Sequence, residues 1–332
     1  MRTAPRLAAF GAGLLVVLGG SYAVGAAVVP SSVVEAWGER APAGHGDEHG
    51  ADEHGADGHG ADGHGADGHG DHGEGTAVGG LAVAANGYEL VDLTAPTAPG
   101  TPGTLAFRLV DADGAPLTDY DESHERDLHL VVVRTDGQGF RHVHPTLDAD
   151  GTWSLPWTWD TAGSYRVIAD FVPAGGETTT LGATVEVGGE VVPSRPLGEV
   201  RTARVGSLVV RLEGELSVGG SGGELVAHVE RDGEPVTTLE PYLGAFGHLV
   251  ALRQSDLGYL HVHPEGDAPA PDDRAGPDIA FHASAPTSGR YLLYLDVVVD
   301  GQVHTAPFVL DAGASDHGTD HGGEEHGHDH QH

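Results

Sequence analysis

Imidazoles at strand spacing are the first chemistry in this sequence. His129 is followed by His142-Val143-His144-Pro145, and the trio returns as His248, His261 and His263 in front of Pro264. Side chains two apart on a strand share a face, so His142 and His144 would carry β-carbons roughly 7 Å apart, from two rises of about 3.3 Å. From there two imidazole nitrogens can converge on one ion at about 2.0–2.1 Å. If Asp136-Gly137 forms a two-residue type I′ turn, Val131 falls opposite His142 and His129 opposite His144. Opposed side chains stand about 4.5–5.5 Å apart at Cβ, which makes the hairpin a chelate. The second copy implies its own chelate, although Ser255-Asp256 is a poorer turn and a looser loop would rotate His248 away. Asp170 and Asp296, at matching places on a later strand, are candidates to orient an imidazole N–H, or else solvated strand ends. His124 and His304 could supply a fourth ligand, whereas His228 and His282 read as packing residues.

The elements that must position these residues are themselves written twice. Without a gap, His129 maps on His248, Arg134 on Arg253, Gly139 on Gly258, and Asp113-Gly114 on Asp232-Gly233. Gly163-x-Tyr165 with Asp170 repeats as Gly289-x-Tyr291 with Asp296. Alternation in Leu105–Leu109, apolar runs at Leu130–Val133 and Leu292–Val299, and closely spaced Asp-Gly turns predict strands. The fold class expected is all-β: two tandem Ig-like β-sandwich domains over 80–190 and 198–311, joined by a linker at 191–197. Tyr165 and Tyr291 are expected in the core or at a tyrosine corner.

Around these domains the composition changes. Arg2 and Arg6 precede an uncharged run from Leu7 to Val29, so residues 1–30 read as a signal peptide or membrane anchor, with everything after them extracytoplasmic. Residues 31–79 form a Gly-Ala-Asp-Gly-His-rich tether and 312–332 a similar tail, carrying seven and six histidines. Neither has the apolar residues for a core, so both are expected to be disordered. Their ligands must lose chain entropy to wrap an ion, which suits capture better than selective storage.

With no cysteine and Met1 as the sole methionine, thiolate zinc sites and thioether Cu(I) sites are excluded. Imidazole and carboxylate ligands leave Cu(II), Zn(II) and Ni(II). A net charge of -34 repels nucleic acid and attracts cations. His124-Glu125-Arg126-Asp127-Leu128-His129 is one residue too long for a zinc-protease motif, and Gly219-Gly220-Ser221-Gly222-Gly223 is a glycine turn rather than a nucleophile elbow. The expectation is therefore a non-enzyme.

The phrases Leu128–Arg134 with His142–Pro145, and Gly247–Arg253 with His261–Pro264, resemble exported actinobacterial proteins with tandem HVHP-motif β domains. The resemblance implies a β-sandwich, an extracytoplasmic location and a suspected heavy-metal role. Copper-resistance proteins with small β-sandwiches are a looser analogy, since this chain lacks their methionine runs. The leading expectation is a membrane-tethered protein that buffers, captures or delivers Cu(II), Zn(II) or Ni(II). The competing one is an adhesion or assembly module with structural histidines, and a metal-dependent enzyme comes last.

Overall fold

A computed structural model describes residues 78–194, 198–219, 222–260 and 262–313. The leader, nearly all of the tether, the tail beyond Gly313, and His261 lie outside the described residues. Among those described, no helix is long and apolar enough to cross a membrane.

The first repeat carries β1 (Ala84–Ala85), β2 (Tyr88–Thr94), β3 (Gly103–Val110), β4 (Tyr120–Asp121), β5 (Leu128–Arg134), β6 (Arg141–Val143), β7 (Thr146–Leu147), β8 (Thr152–Trp157), β9 (Gly163–Pro173) and β10 (Thr179–Val187). The second carries β11 (Thr202–Val205), β12 (Leu208–Gly214), β13 (Ser217–Val218), β14 (Gly223–Arg231), β15 (Glu234–Pro235), β16 (His248–Arg253), β17 (Tyr259–Leu260), β18 (His263–Pro264), β19 (Asp278–Ala285), β20 (Gly289–Val299) and β21 (Gln302–Ala312). Each repeat is a pair of facing sheets. These are β1-β2-β3-β8-β7 over β10-β9-β5-β6, then β11-β12-β14-β19-β13 over β17-β16-β20-β21. The described residues are all-β in two tandem sandwich-like domains, and both domains fall in one compact unit.

Three apolar clusters hold the unit together. Leu105, Phe107, Trp153 and Phe171 fill the first sandwich, and Leu225, Phe281, Tyr291 and Phe308 fill the second. The third lies between the repeats: Val131, Val133 and Ile168 from one, Val250, Leu252, Leu292 and Tyr294 from the other. Strand alternation explains it. On β5, Leu128, Leu130 and Val132 enter their own core, while Val131 and Val133 face the other repeat. On β16, Leu249 and Ala251 point inward, while Val250 and Leu252 face across. A strand covered on both faces reads as a near-continuous apolar run, and all seven residues of β5 are buried, His129 and Arg134 being its polar members. Phe140 stacks on Tyr294 at 3.8 Å, and the Tyr294 hydroxyl donates to the Gly137 carbonyl at 2.6 Å, closing the seam.

The hairpin registers match the expectation, by a different turn. Leu130 pairs with Val143, Val131 with His142 and Val132 with Arg141. The equivalent pair Ala251–Leu260 shows that the second copy keeps the same register. Type I′ needs positive φ at both central residues, yet of Asp136 and Gly137 only Gly137 has it, at 85°. Asp136 is instead engaged by its side chain: it pairs with Arg134 at 2.7 Å and accepts the Ser194 N–H at 2.8 Å. The loop is wider, and Gly139 at φ 63° restores the register. In the second copy Leu257 at φ 60° serves the looser loop, so His248 is not turned away.

Tyr165 and Tyr291 are corner tyrosines, donating to the Thr161 and Thr287 carbonyls at 2.9 Å each. At the end of the expected tether, Gly79 bridges to Tyr259. Linker residue Ser194 is held by Asp136 and Gln138.

Candidate metal centre

The alternation that builds the apolar seam also fixes what lies at its polar end. His129 shares a face with Val131 and Val133, and Asp170 with Ile168. His248 shares a face with Val250 and Leu252, and Asp296 with Leu292 and Tyr294. Val143 packs on its own core, so His142 and His144 on either side of it face the seam. Among the described residues, those of both repeats meet in one cluster, because the strands that carry them are the ones the two sandwiches bury against each other.

His129, His142 and His144 each present one ring nitrogen, all within 4.8 Å of one another. His129 Nδ1 lies 3.1 Å from His142 Nε2 and 3.2 Å from His144 Nε2. The outer nitrogens fix the tautomers. His129 Nε2 is 2.8 Å from the Ser123 carbonyl, which can only accept, so this nitrogen carries the proton. His142 Nδ1 is 3.0 Å from a carboxylate oxygen of Asp296 in the other repeat, and donates to it. The second Asp296 oxygen accepts the Thr305 hydroxyl at 2.5 Å. In neutral rings the inner nitrogens of His129 and His142 are therefore both lone pairs, facing each other at 3.1 Å. His144 can donate a proton to one of them but not to both. A cation between them removes the conflict, and outer N–H groups held by a carbonyl and a carboxylate are the usual support for metal-bound histidine.

Burial keeps the His144 ring uncharged. Burial, and then the neighbouring His142, His129 and Arg126, push His144 down to about 3, so its ring stays neutral and its lone pair available at physiological pH. His129, Asp170, His248 and Asp296 are each at most 6% exposed. Asp170 is raised to about 6 by burial, opposed by the Thr180 hydroxyl donating at 2.6 Å and by His124 and His142 nearby.

Two further rings join the cluster. His248 stacks on His129 at 5.5 Å between centroids and on His142 at 4.8 Å. His124 stands 5.3 Å from His248 and 6.0 Å from His129. It occupies the apex of a tight turn in which Ser123 and Arg126 exchange backbone hydrogen bonds. The structure thus gathers His124, His129, His142, His144 and His248 with Asp170 and Asp296. His304 is left out: its neighbour Thr305 faces Asp296, and alternation sends His304 to the opposite side of β21. His261 lies outside the described residues; the backbone of His263 pairs with His282 across β18 and β19. His228 and His282 are surface residues rather than packing ones, since His228 pairs with Asp278 at 2.5 Å and His282 is exposed. Ser123 is the contributor that sequence reasoning missed. A backbone carbonyl leaves no signal in residue type, and only the turn geometry identifies it.

No curated protein matches this chain. Among solved structures it is similar to invasin, a bacterial integrin-binding protein, at 15% identity and a TM-score of 0.21, over 68% of this chain and 39% of invasin. Red sea bream transglutaminase gives 15% and 0.21, over 69% and 32%. The Ig1-2 module of the Drosophila receptor protein tyrosine phosphatase DLAR gives 8% and 0.19, over 68% and 98%. The chain thus spans about two fifths of invasin's length, and none of these likenesses carries an argument about function. A family defined only as a domain of unknown function matches twice, over residues 83–189 and 203–314, and to that family, DUF8832, this chain belongs.

Proposed function

We propose that this protein binds a divalent transition metal, Cu(II) or Zn(II) with Ni(II) as a further candidate, at the seam between its two Ig-like repeats. The observation that carries the reading is the pair of facing lone pairs on His129 and His142, tautomers fixed by Ser123 and Asp296, with His144 alongside. A cation bound between the two rings would be held by both lone pairs, with the outer N–H groups already engaged. The histidine tracts serve to collect the same ions, and the charge of -34 concentrates cations around them. The uncharged segment after Arg2 and Arg6 supports an extracytoplasmic, membrane-tethered position, where buffering, capture or delivery of metal is the task.

The test uses the full-length chain with the thirteen tract histidines replaced by asparagine, titrated with Zn(II) in a calorimeter. Saturable binding that disappears in His142→Ala is the expected result. Zinc at 100 times Kd should stabilise the protein by about 2.7 kcal/mol, reversed by chelator. A protein that binds zinc only through its tracts would leave the repeats as scaffold and end the proposal.

A further inference from the structure

Residues 78–82, which follow the first histidine tract, are laced between the two repeats. Gly79 exchanges both backbone hydrogen bonds with Tyr259 of the second repeat, at 3.2 and 2.9 Å. The next N–H, that of Gly80, donates to the Thr180 carbonyl of the first repeat at 3.0 Å. The Gly80 carbonyl accepts from Arg166 Nε at 3.0 Å, and the Ala82 carbonyl from the Gly182 N–H at 2.8 Å. The fit is close: a β-carbon added at Gly79 would stand 2.7 Å from Thr180 Cβ, and one added at Gly258 would strike Val78.

This anchorage lies beside the centre. Thr180, Asp170 and His129 are register partners in one row across β10, β9 and β5. Strands stand about 4.7–4.9 Å apart, so two steps put Thr180, with Gly79 against it, about 10 Å from His129. His72, the nearest histidine of the tract, precedes Gly79 by seven residues, which extend to about 25 Å. That is ample. The second tract follows β21, whose Thr305 meets Asp296. From Thr305 the strand runs on to Ala312, paired with Gly289, and seven rises of about 3.3 Å carry it about 23 Å away. His317, five residues further, has only about 18 Å of chain and falls short. His321, with about 32 Å, returns only when largely extended.

We propose that the N-terminal tract is a feed arm, which takes up divalent ions and passes them directly to His129, His142 and His144, while the C-terminal tract collects ions without this transfer. The proposal rests on the metal-binding reading above and names the donor for that site. The step is ligand exchange: the ion keeps its charge, and each tract imidazole leaves as a seam imidazole binds. Its advantage is effective concentration, which falls roughly as the −3/2 power of the connecting length.

The experiment uses the full-length chain with Co(II) as the probe, whose visible absorption strengthens in a tetrahedral imidazole site. Stopped-flow mixing with substoichiometric Co(II) gives the rate of seam loading, with His142→Ala as the blank. Asparagine at the seven tether histidines should slow loading about tenfold or more, and asparagine at the six tail histidines should change it less than about twofold. A spacer of about thirty Gly and Ser residues between Gly75 and Thr76 keeps every histidine but moves the tract away. It should slow loading about tenfold by the same power law. Equal slowing by either tract, or a parental rate with the spacer in place, would overturn the feed arm while the single-ion reading stands. A chain with both tracts substituted that gives no seam absorption at any Co(II) concentration would remove that reading, and the feed arm with it.

Discussion

Asp296 is the residue through which the second repeat would control a ligand of the first, and Asp296→Asn isolates that control. The carboxylate accepts from His142 Nδ1 at 3.0 Å and from Thr305 at 2.5 Å, and it is 2% exposed. Asparagine keeps the shape but offers one acceptor and one donor group. With its oxygen kept towards Thr305, the amide presents N–H to His142 Nδ1. The imidazole then accepts there and moves its proton to Nε2, the atom that faces His129. That tautomer cannot ligate through Nε2. With the amide turned the other way, the carbonyl still accepts from His142, and Thr305 must turn its hydroxyl to meet the amide. The observed loss is then an average over both orientations. Removing an outer partner of a metal-bound histidine costs about 10–100-fold in affinity, which is about 1.4–2.7 kcal/mol. Zinc titration of the tract-substituted chain should show this loss, with a smaller one for Thr305→Val, which leaves the His142 acceptor in place. An Asp296→Asn protein with parental zinc affinity and a normal thermal melt would refute the reasoning, because it would mean that the seam does not set the His142 tautomer.

Two further predictions concern stability. In metal-free protein His144 sits at about 3, below its unfolded value of about 6.5, so its contribution is complete above pH 6.5 and is lost as pH falls towards 3. Asp170, raised to about 6, has the opposite sign: its contribution is present below about pH 3.9 and is lost as pH rises through 6. The two slopes oppose each other between roughly pH 4 and 6, and Asp170→Asn removes one of them. Its melting temperature should climb with pH across that window more steeply than the parent's, and parallel profiles would count against the assignment. Leu292→Ala should open a cavity in the seam, costing about 2–5 kcal/mol by urea unfolding. It should also weaken zinc binding, because Leu292 and Asp296 share a strand face; unchanged affinity would mean that seam packing does not position the carboxylate.

Much of the local design was legible because it follows from short-range rules. The duplicated spacing announced two equal domains, and the alternation of His142, Val143 and His144 gave their shared face. The register came out as expected although the turn did not. Arg134 and Asp136 close the loop through an ion pair that turn propensities ignore, and Gly139 makes the correction. In the second copy Leu257 at positive φ, an unusual residue for that conformation, kept His248 in place. What could not be read was the cover over the second face of β5 and β16. Val-Val-Val in Leu130–Val133 says that both faces are buried but not by what, and His142 lies 154 residues from the carboxylate that orients it.

That distance follows from the architecture. Two copies packed through the same strands form the equivalent of an isologous dimer within one chain, and in such an interface only residues near the two-fold axis meet their own counterparts. His129 and His248 accordingly meet as stacked rings. A homodimer would be bound to keep both halves alike, whereas a fused pair is free to diverge. The chain uses that freedom at the turn apex, with His124 on one side and Leu243 on the other. The centre is therefore asymmetric by sequence while its scaffold is nearly symmetric. Because His142 depends on Asp296, and His129 is covered by His248, neither repeat contains the whole arrangement. Selection on metal binding would consequently act on the docking of the two domains as much as on the histidines themselves.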